Sequence, residues 1–180
     1  ENIEEGPLFN VGAGGDKYMS LIQYARVKQT NLEDEFHRGL NFMNMSWQQL
    51  KVLDKAFKDY KRAKGKYDFI DMIEKFIFRG TSPEFDLLII DEAQDLAPLQ
   101  WQMVKDVLVP NSESVYYAGD DDQAIYSWMG VDAENFINAS ENKMVLNKSY
   151  RVPEHPFAFA KGLTDQITKR ENKVWNPTKE

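Results

Sequence analysis

Between Ser46 and Lys64 the apolar residues Trp47, Leu50, Leu53, Phe57 and Tyr60 recur at spacings of three and four, the period of a helix with one buried face. Ser46 is placed to cap the first turn and Gly65 to end the last one. The helical rhythm begins near Tyr18. The stretch before it holds Gly6, Gly12, Gly14 and Gly15 and reads as an irregular lead-in over residues 1–16. A further helix is predicted over Asp68–Phe78, with Phe69, Met72, Ile73, Phe76 and Ile77 on its buried side and Gly80 as its stop.

The rhythm then changes. Phe85-Asp86-Leu87-Leu88-Ile89-Ile90 is a short, almost continuous apolar run, as expected of a strand buried on both faces of a parallel sheet. Leu96–Leu108 reads as helix, Ser114–Ala118 as a second strand and Lys143–Leu146 as a third. Strands alternating with helices predict an α/β fold with right-handed crossovers, preceded by a helical N-terminal portion. No internal repeat or low-complexity tract interrupts the pattern.

With 180 residues the chain is too short for two full domains, and 42% hydrophobic residues suffice for a packed core. The absence of cysteine excludes disulfides and Cys-ligated zinc, and with His37 and His155 as the sole histidines a catalytic zinc site is not expected. No apolar run approaches the roughly 18 residues of a membrane span, and the N-terminus lacks a targeting pattern, so a cytoplasmic protein is expected. The net charge of −7 speaks against nucleic-acid binding through bulk charge, and any such contact must be local. Lys51, Lys55, Lys58 and Arg62 line one helix face, which is either a solvated surface or a track for a phosphate backbone.

Three stretches carry candidate chemistry. In Leu87-Leu88-Ile89-Ile90-Asp91-Glu92-Ala93-Gln94-Asp95, two carboxylates stand at the carboxyl end of a buried strand, where open α/β sheets place their ligands. A Walker B motif explains them: Asp91 would hold a nucleotide's Mg²⁺ through water and Glu92 would activate the water attacking the γ-phosphate. The plain alternative is an acidic turn that caps a helix. About 30 residues on, Gly119-Asp120-Asp121-Asp122-Gln123-Ala124-Ile125-Tyr126-Ser127-Trp128-Met129-Gly130 follows the second strand. Gly119 lets backbone approach a ligand, and Gln123 can bond a phosphate oxygen or a water without adding charge. Tyr126 and Trp128 are either core aromatics or platforms for single-stranded bases, whose stacking contributes roughly 1–3 kcal/mol each. Finally, Arg151 in Leu146-Asn147-Lys148-Ser149-Tyr150-Arg151-Val152-Pro153 follows the third predicted strand, on the same sheet edge, with donors suited to a phosphate in its transition state.

Taken in order and spacing, Ile90–Asp95, Gly119–Trp128 with Gly130, and Tyr150-Arg151 resemble motifs II, III and IV of the UvrD/Rep/PcrA group of superfamily 1 DNA helicases. The resemblance implies an ATP- and Mg²⁺-dependent 3′-to-5′ translocase with RecA-like domains, acting on single-stranded DNA and duplex junctions. It implies that Asp91 and Glu92 serve Mg²⁺ and the hydrolytic water, that Gln94 and Gln123 sense the γ-phosphate, that Gly119 and Asp120 help to bind the nucleotide, and that Tyr150 stacks on adenine. Arg151 would be an arginine finger, and Tyr126 and Trp128 would contact the tracking strand. Residues 1–66 would correspond to the 1B insertion, 67–152 to the later part of the first RecA-like domain, and 153–180 to the entry into the second domain or a linker. Met129 stands where the family often has arginine, and Ser149 where it usually has asparagine.

A P-loop, G-x-x-x-x-G-K-[ST], is missing. Gly12-Ala13-Gly14-Gly15-Asp16-Lys17-Tyr18 lacks its ending and reads as a plain loop. The chain, which does not begin with Met, is therefore expected to be an internal piece of a helicase motor, inactive until joined to the remainder of that chain. The alternative is a naturally truncated, non-catalytic module that binds DNA or protein.

Overall fold

In a computed structural model, residues 16–38, 46–174 and 176–178 are described. Residues 1–15 of the glycine-bearing lead-in fall outside them, and Asp16, Lys17 and Tyr18, read from the sequence as the end of a loop, instead begin the first helix. The chain divides into two compact units, one of residues 1–83 and 97–111 and the other of residues 84–96 and 112–180.

The first unit is helical. It contains α1 (Asp16–Val27), α2 (Leu32–His37), α3 (Trp47–Lys64), α4 (Phe69–Arg79) and α5 (Pro98–Met103), the last continuing as a π-helical stretch over Val104–Leu108. α3 begins at the Ser46 cap expected from the sequence, which Gln49 completes into a capping box: Ser46 Oγ accepts from Gln49 N–H, and Gln49 Oε1 accepts from Ser46 N–H. It ends at Gly65 with φ 60°, a left-handed conformation that glycine adopts without a Cβ penalty. Leu50 is fully buried beside Leu21, Ile22 and Phe36, with Tyr18, Met19, Leu32 and Trp47 packed around them. Tyr60, expected on the buried stripe, is exposed. On the basic face Lys58 pairs with Asp54 and Arg62 with Asp59, the behaviour of a solvated surface.

α4 is rotated from its expected orientation. Ile70 is buried, Ile73 and Ile77 are half-buried, and Phe69 and Met72 are exposed. Charge sets the rotation. Arg26 of α1 binds Asp68, Asp71 and Glu74, and Lys61 of α3 binds Asp68 and Asp71. At about 100° per residue, Glu74 lies beside Ile70 and Ile77 and opposite Met72, so its ion pair with Arg26 turns the other apolar stripe outward.

The second unit holds two parallel two-stranded sheets, β1 (Phe85–Ile90) with β2 (Ser112–Tyr117), and β3 (Lys148–Pro153) with β4 (Asn176–Thr178). It also holds α6 (Ala133–Ile137) and α7 (Glu154–Thr164). The mixture of helices and small parallel sheets agrees with the expected α/β class. β1 and β2 run in register from Phe85 opposite Ser112 to Ile90 opposite Tyr117.

Two expectations need correction. β1 is not buried on both faces: Leu87 and Ile89 project outward with Tyr116 of the partner strand, and Ile89 is 62% exposed, because no described element covers that side. Nor is Lys143–Leu146 a strand. Met144, Val145 and Leu146 find no ladder partner among the described residues, and pairing begins only where the Asn147 carbonyl accepts from Asn176 N–H. The third strand is therefore Lys148–Pro153, and it joins β4 rather than β1 and β2.

Candidate functional site

The carboxyl end of β1 turns sharply. Ala118 N–H donates to the Ile90 carbonyl and Ala93 N–H donates back to the Ala118 carbonyl, so the ladder with β2 persists while Asp91 and Glu92 bulge out between these bonds. Glu92 has φ 50°, a left-handed conformation costing a non-glycine residue on the order of 1 kcal/mol. Both carboxylates are exposed, and Asp91 Oδ1 accepts from Glu92 N–H at 3.0 Å. Asp95, in the short 3₁₀ turn Ala93–Asp95, has its carboxyl pKa raised by burial and then by the nearby charge of Glu92.

Gln94 ties this turn to the next loop. It is 2% exposed, its Nε2 donates to Glu92 Oε2 at 2.9 Å, and its Oε1 accepts from Asp120 N–H at 3.1 Å. Gly119 makes room for it. A Cβ on Gly119 would collide with Gln94 Oε1 and stand 3.2 Å from Phe136 Cζ and 3.3 Å from Ala93 N. The space that glycine provides at this strand end is filled by the Gln94 side chain.

The loop after β2 is a chain of acids held by counter-charges. Asp120 accepts from Asp122 N–H, from Gln123 Nε2 at 2.7 Å and from Lys173 Nζ at 2.6 Å. Asp121 is buried and accepts from Glu171 N–H and Lys173 Nζ. Asp122 pairs with Arg170 at 2.9 Å and with Lys173 at 3.2 Å. Burial works to raise the Asp120 pKa, but Lys173 and the Gln123 amide outweigh it and bring it below the ordinary carboxylate range. Sequence reasoning missed Arg170 and Lys173. Three adjacent aspartates demand buried counter-charge, and the cation-rich segment Lys169-Arg170-Glu171-Asn172-Lys173 was the available signal.

Beyond this loop Tyr126 and Trp128 remain 40% and 47% exposed, with ring centroids 6.4 Å apart in an edge-to-face pair. They are not core residues, and Ile125 beside them is exposed as well.

Tyr150 and Arg151 are placed differently from the expectation. Both lie within β3, in the second sheet, so the three motifs do not share one sheet edge. Both side chains are exposed, Tyr150 at 82%, and Lys148 Nζ stands 4.8 Å from the centre of the Tyr150 ring. Ser149 is buried, and its Oγ accepts from Arg151 and Val152 N–H, stitching the irregular register between Lys148 and Pro153.

Among the described residues no cluster of three or more His, Asp or Glu is placed to hold a metal. Mg²⁺ seldom needs one, since it keeps several waters and takes one or two carboxylates plus substrate phosphates.

Residues 16–144 match the family described as the UvrD/REP helicase N-terminal domain. The chain belongs to that family. Among relatives of this helicase family, the probable DNA helicase II homolog of Mycoplasma pneumoniae is 26% identical over 136 residues, covering 65% of this chain and 19% of the relative. DNA helicase II of Escherichia coli K12 is 25% identical over 150 residues, 75% of this chain and 20% of that protein. The ATP-dependent DNA helicase Rep of Buchnera aphidicola (subspecies Schizaphis graminum) is 26% identical over 139 residues, 72% and 19% respectively. The chain thus spans about a fifth of the helicases it matches. Among the described residues no helix is long and apolar enough to cross a membrane.

Proposed function

We propose that this chain supplies the Mg²⁺-binding, water-activating and γ-phosphate-sensing part of an ATP-dependent DNA helicase that moves 3′ to 5′ on single-stranded DNA. The observation that carries the reading is the Gln94 bridge, which joins the Glu92 carboxylate to the backbone of the Asp120–Gln123 loop at the ends of two adjacent parallel strands. Asp91 would hold Mg²⁺ through water, and Glu92 would orient the attacking water. Gln123, whose amide is oriented by Asp120, would face the γ-phosphate. Bound Mg-ATP would supply the phosphoryl group and neutralise its developing charge. Tyr126 and Trp128 offer exposed rings to bases. The roles of Tyr150 on adenine and Arg151 on the transferring phosphate require β3 to meet a nucleotide held in part by other segments of the motor.

Mn²⁺ titration tests the first claim. Paramagnetic broadening should appear at the amides around Asp91 and Glu92 and be lost in Asp91→Asn; broadening spread evenly over the acidic surface contradicts it. For DNA, anisotropy of a labelled oligothymidine should rise on binding and fall several-fold in affinity in Tyr126→Ala/Trp128→Ala. Undiminished affinity in that double variant rejects the base-contact role. Without a P-loop the 180 residues alone are expected to turn over no ATP, and robust Mg²⁺-dependent turnover would overturn that.

A further inference from the structure

Lys173 is the convergence point of the acidic loop. Its Nζ lies 2.6 Å from Asp120 Oδ1, 2.5 Å from Asp121 Oδ1 and 3.2 Å from Asp122 Oδ2, with its side chain largely withdrawn from solvent. Arg170 adds a second cation at Asp122. From Lys173 an unbroken line of hydrogen bonds runs inward. Asp120 receives the Gln123 side-chain amide on its other oxygen and gives its own N–H to Gln94, which holds Glu92.

Three consecutive carboxylates in a partly desolvated loop repel one another strongly, and Asp121 and Asp122 are largely withdrawn from the solvent that would screen them. Removing the shared cation leaves Asp120 and Asp121 without a cation, because Arg170 reaches only Asp122 of the three, and stranding partly buried charges costs more than the attraction of any single pair. The segment's other cation, Lys169, is occupied with Asp132 and Glu134 at the surface and cannot substitute.

We propose that Lys173, assisted by Arg170, is a positioning residue of the nucleotide site: by neutralising Asp120, Asp121 and Asp122 it holds the loop that presents Gln123, and through Gln94 it fixes the Glu92 carboxylate. The proposal rests on the nucleotide-site reading given above. A residue some 50 positions downstream in the chain thereby sets the geometry of both acidic motifs.

The test compares the isotope-labelled 180-residue chain with Lys173→Met, which keeps the apolar stem, and Lys173→Arg, which keeps the charge. In Lys173→Met the Asp120 and Gln123 backbone amides should exchange with solvent at least about tenfold faster, while the Ala118 amide, which donates to the Ile90 carbonyl in the β1–β2 ladder, stays unchanged. Lys173→Arg should restore slow exchange. Unaltered exchange at Asp120 and Gln123, an equal loss of protection in the ladder, or no recovery with arginine each overturns the proposal. The Asp120 carboxyl, followed by ¹³C shifts in the unmodified chain, should titrate below an ordinary aspartate; a value at or above it also overturns the proposal. No nucleotide or metal is added, so the outcome is separate from the Mn²⁺ result that tests the site itself.

Discussion

Gln94 Nε2 donates to Glu92 Oε2 at 2.9 Å, two residues back along the same turn. The bond holds a carboxylate whose backbone is already in the left-handed region, so the side chain that would touch the attacking water is fixed at both ends. Because the other end of the Gln94 amide is spent on Asp120 N–H, neither loop can shift without disturbing the other.

Gln94→Leu removes both bonds and leaves the Asp120 N–H without its acceptor. A loss of about 1–3 kcal/mol in stability is expected, measured by urea denaturation. Gln94→Glu sets a second carboxylate against Glu92 and should be worse near neutral pH, recovering on acidification as the new carboxyl protonates. A variant Gln94→Leu as stable as the parent would show that the bridge is incidental.

Gly119→Ala is expected to destabilise by about 1–3 kcal/mol, because the added methyl meets Gln94, Phe136 and the backbone of Ala93. Shortening the neighbour should relieve the worst contact. In a double-mutant cycle with Gln94→Ala, the two changes should together cost at least about 0.5 kcal/mol less than their sum. Strict additivity would place the strain elsewhere.

Local rules carried the sequence reading furthest. The Ser46 cap and the left-handed Gly65 bound α3 where the residues say they should, β1 falls on the apolar run Phe85–Ile90, and β2 at Ser112–Tyr117 overlaps the strand expected at Ser114–Ala118. What the sequence hid was set at long range. The rotation of α4 depends on Arg26, more than 40 residues away from the carboxylates it binds, so an apolar stripe alone pointed to the wrong face. The strand expected at Lys143–Leu146 was displaced because its partner, Asn176, pairs beyond Asn147. The acids of both motifs were legible from their place after strands. Their cations were not, since Arg170 and Lys173 belong to a segment with no motif of its own.

Strong acid should weaken the ion pairs of the helical unit. Burial favours the protonated form of Asp71, but hydrogen bonds from Lys61, the Asp68 N–H and Arg26 outweigh it and bring the pKa to about 2. An unfolded aspartate titrates near ~3.9, so the folded value is depressed. The contribution of Asp71 is therefore complete above about pH 4 and lost as the pH falls toward 2. The stability difference between the parent and Asp71→Asn should shrink across that window in denaturation series. A difference that stays constant from neutrality down to the bottom of the window would remove Asp71 as its source.

The two apolar surfaces should respond oppositely to mutation. Leu50 is fully enclosed by Leu21, Ile22 and Phe36, and Leu50→Ala is expected to cost about 2–5 kcal/mol through lost transfer energy and the cavity left behind. Ile89 projects from the uncovered face of β1 beside Tyr116, so Ile89→Thr, which keeps the β-branched shape a strand favours, should change stability by no more than about 0.5 kcal/mol. Solubility should move the other way: replacing Ile89 and Leu87 together by threonine removes exposed apolar area and should lower self-association in sedimentation velocity. A cost at Ile89 comparable to that at Leu50 would mean that the outer face of β1 is packed in solution, either against another part of the molecule or against a second copy.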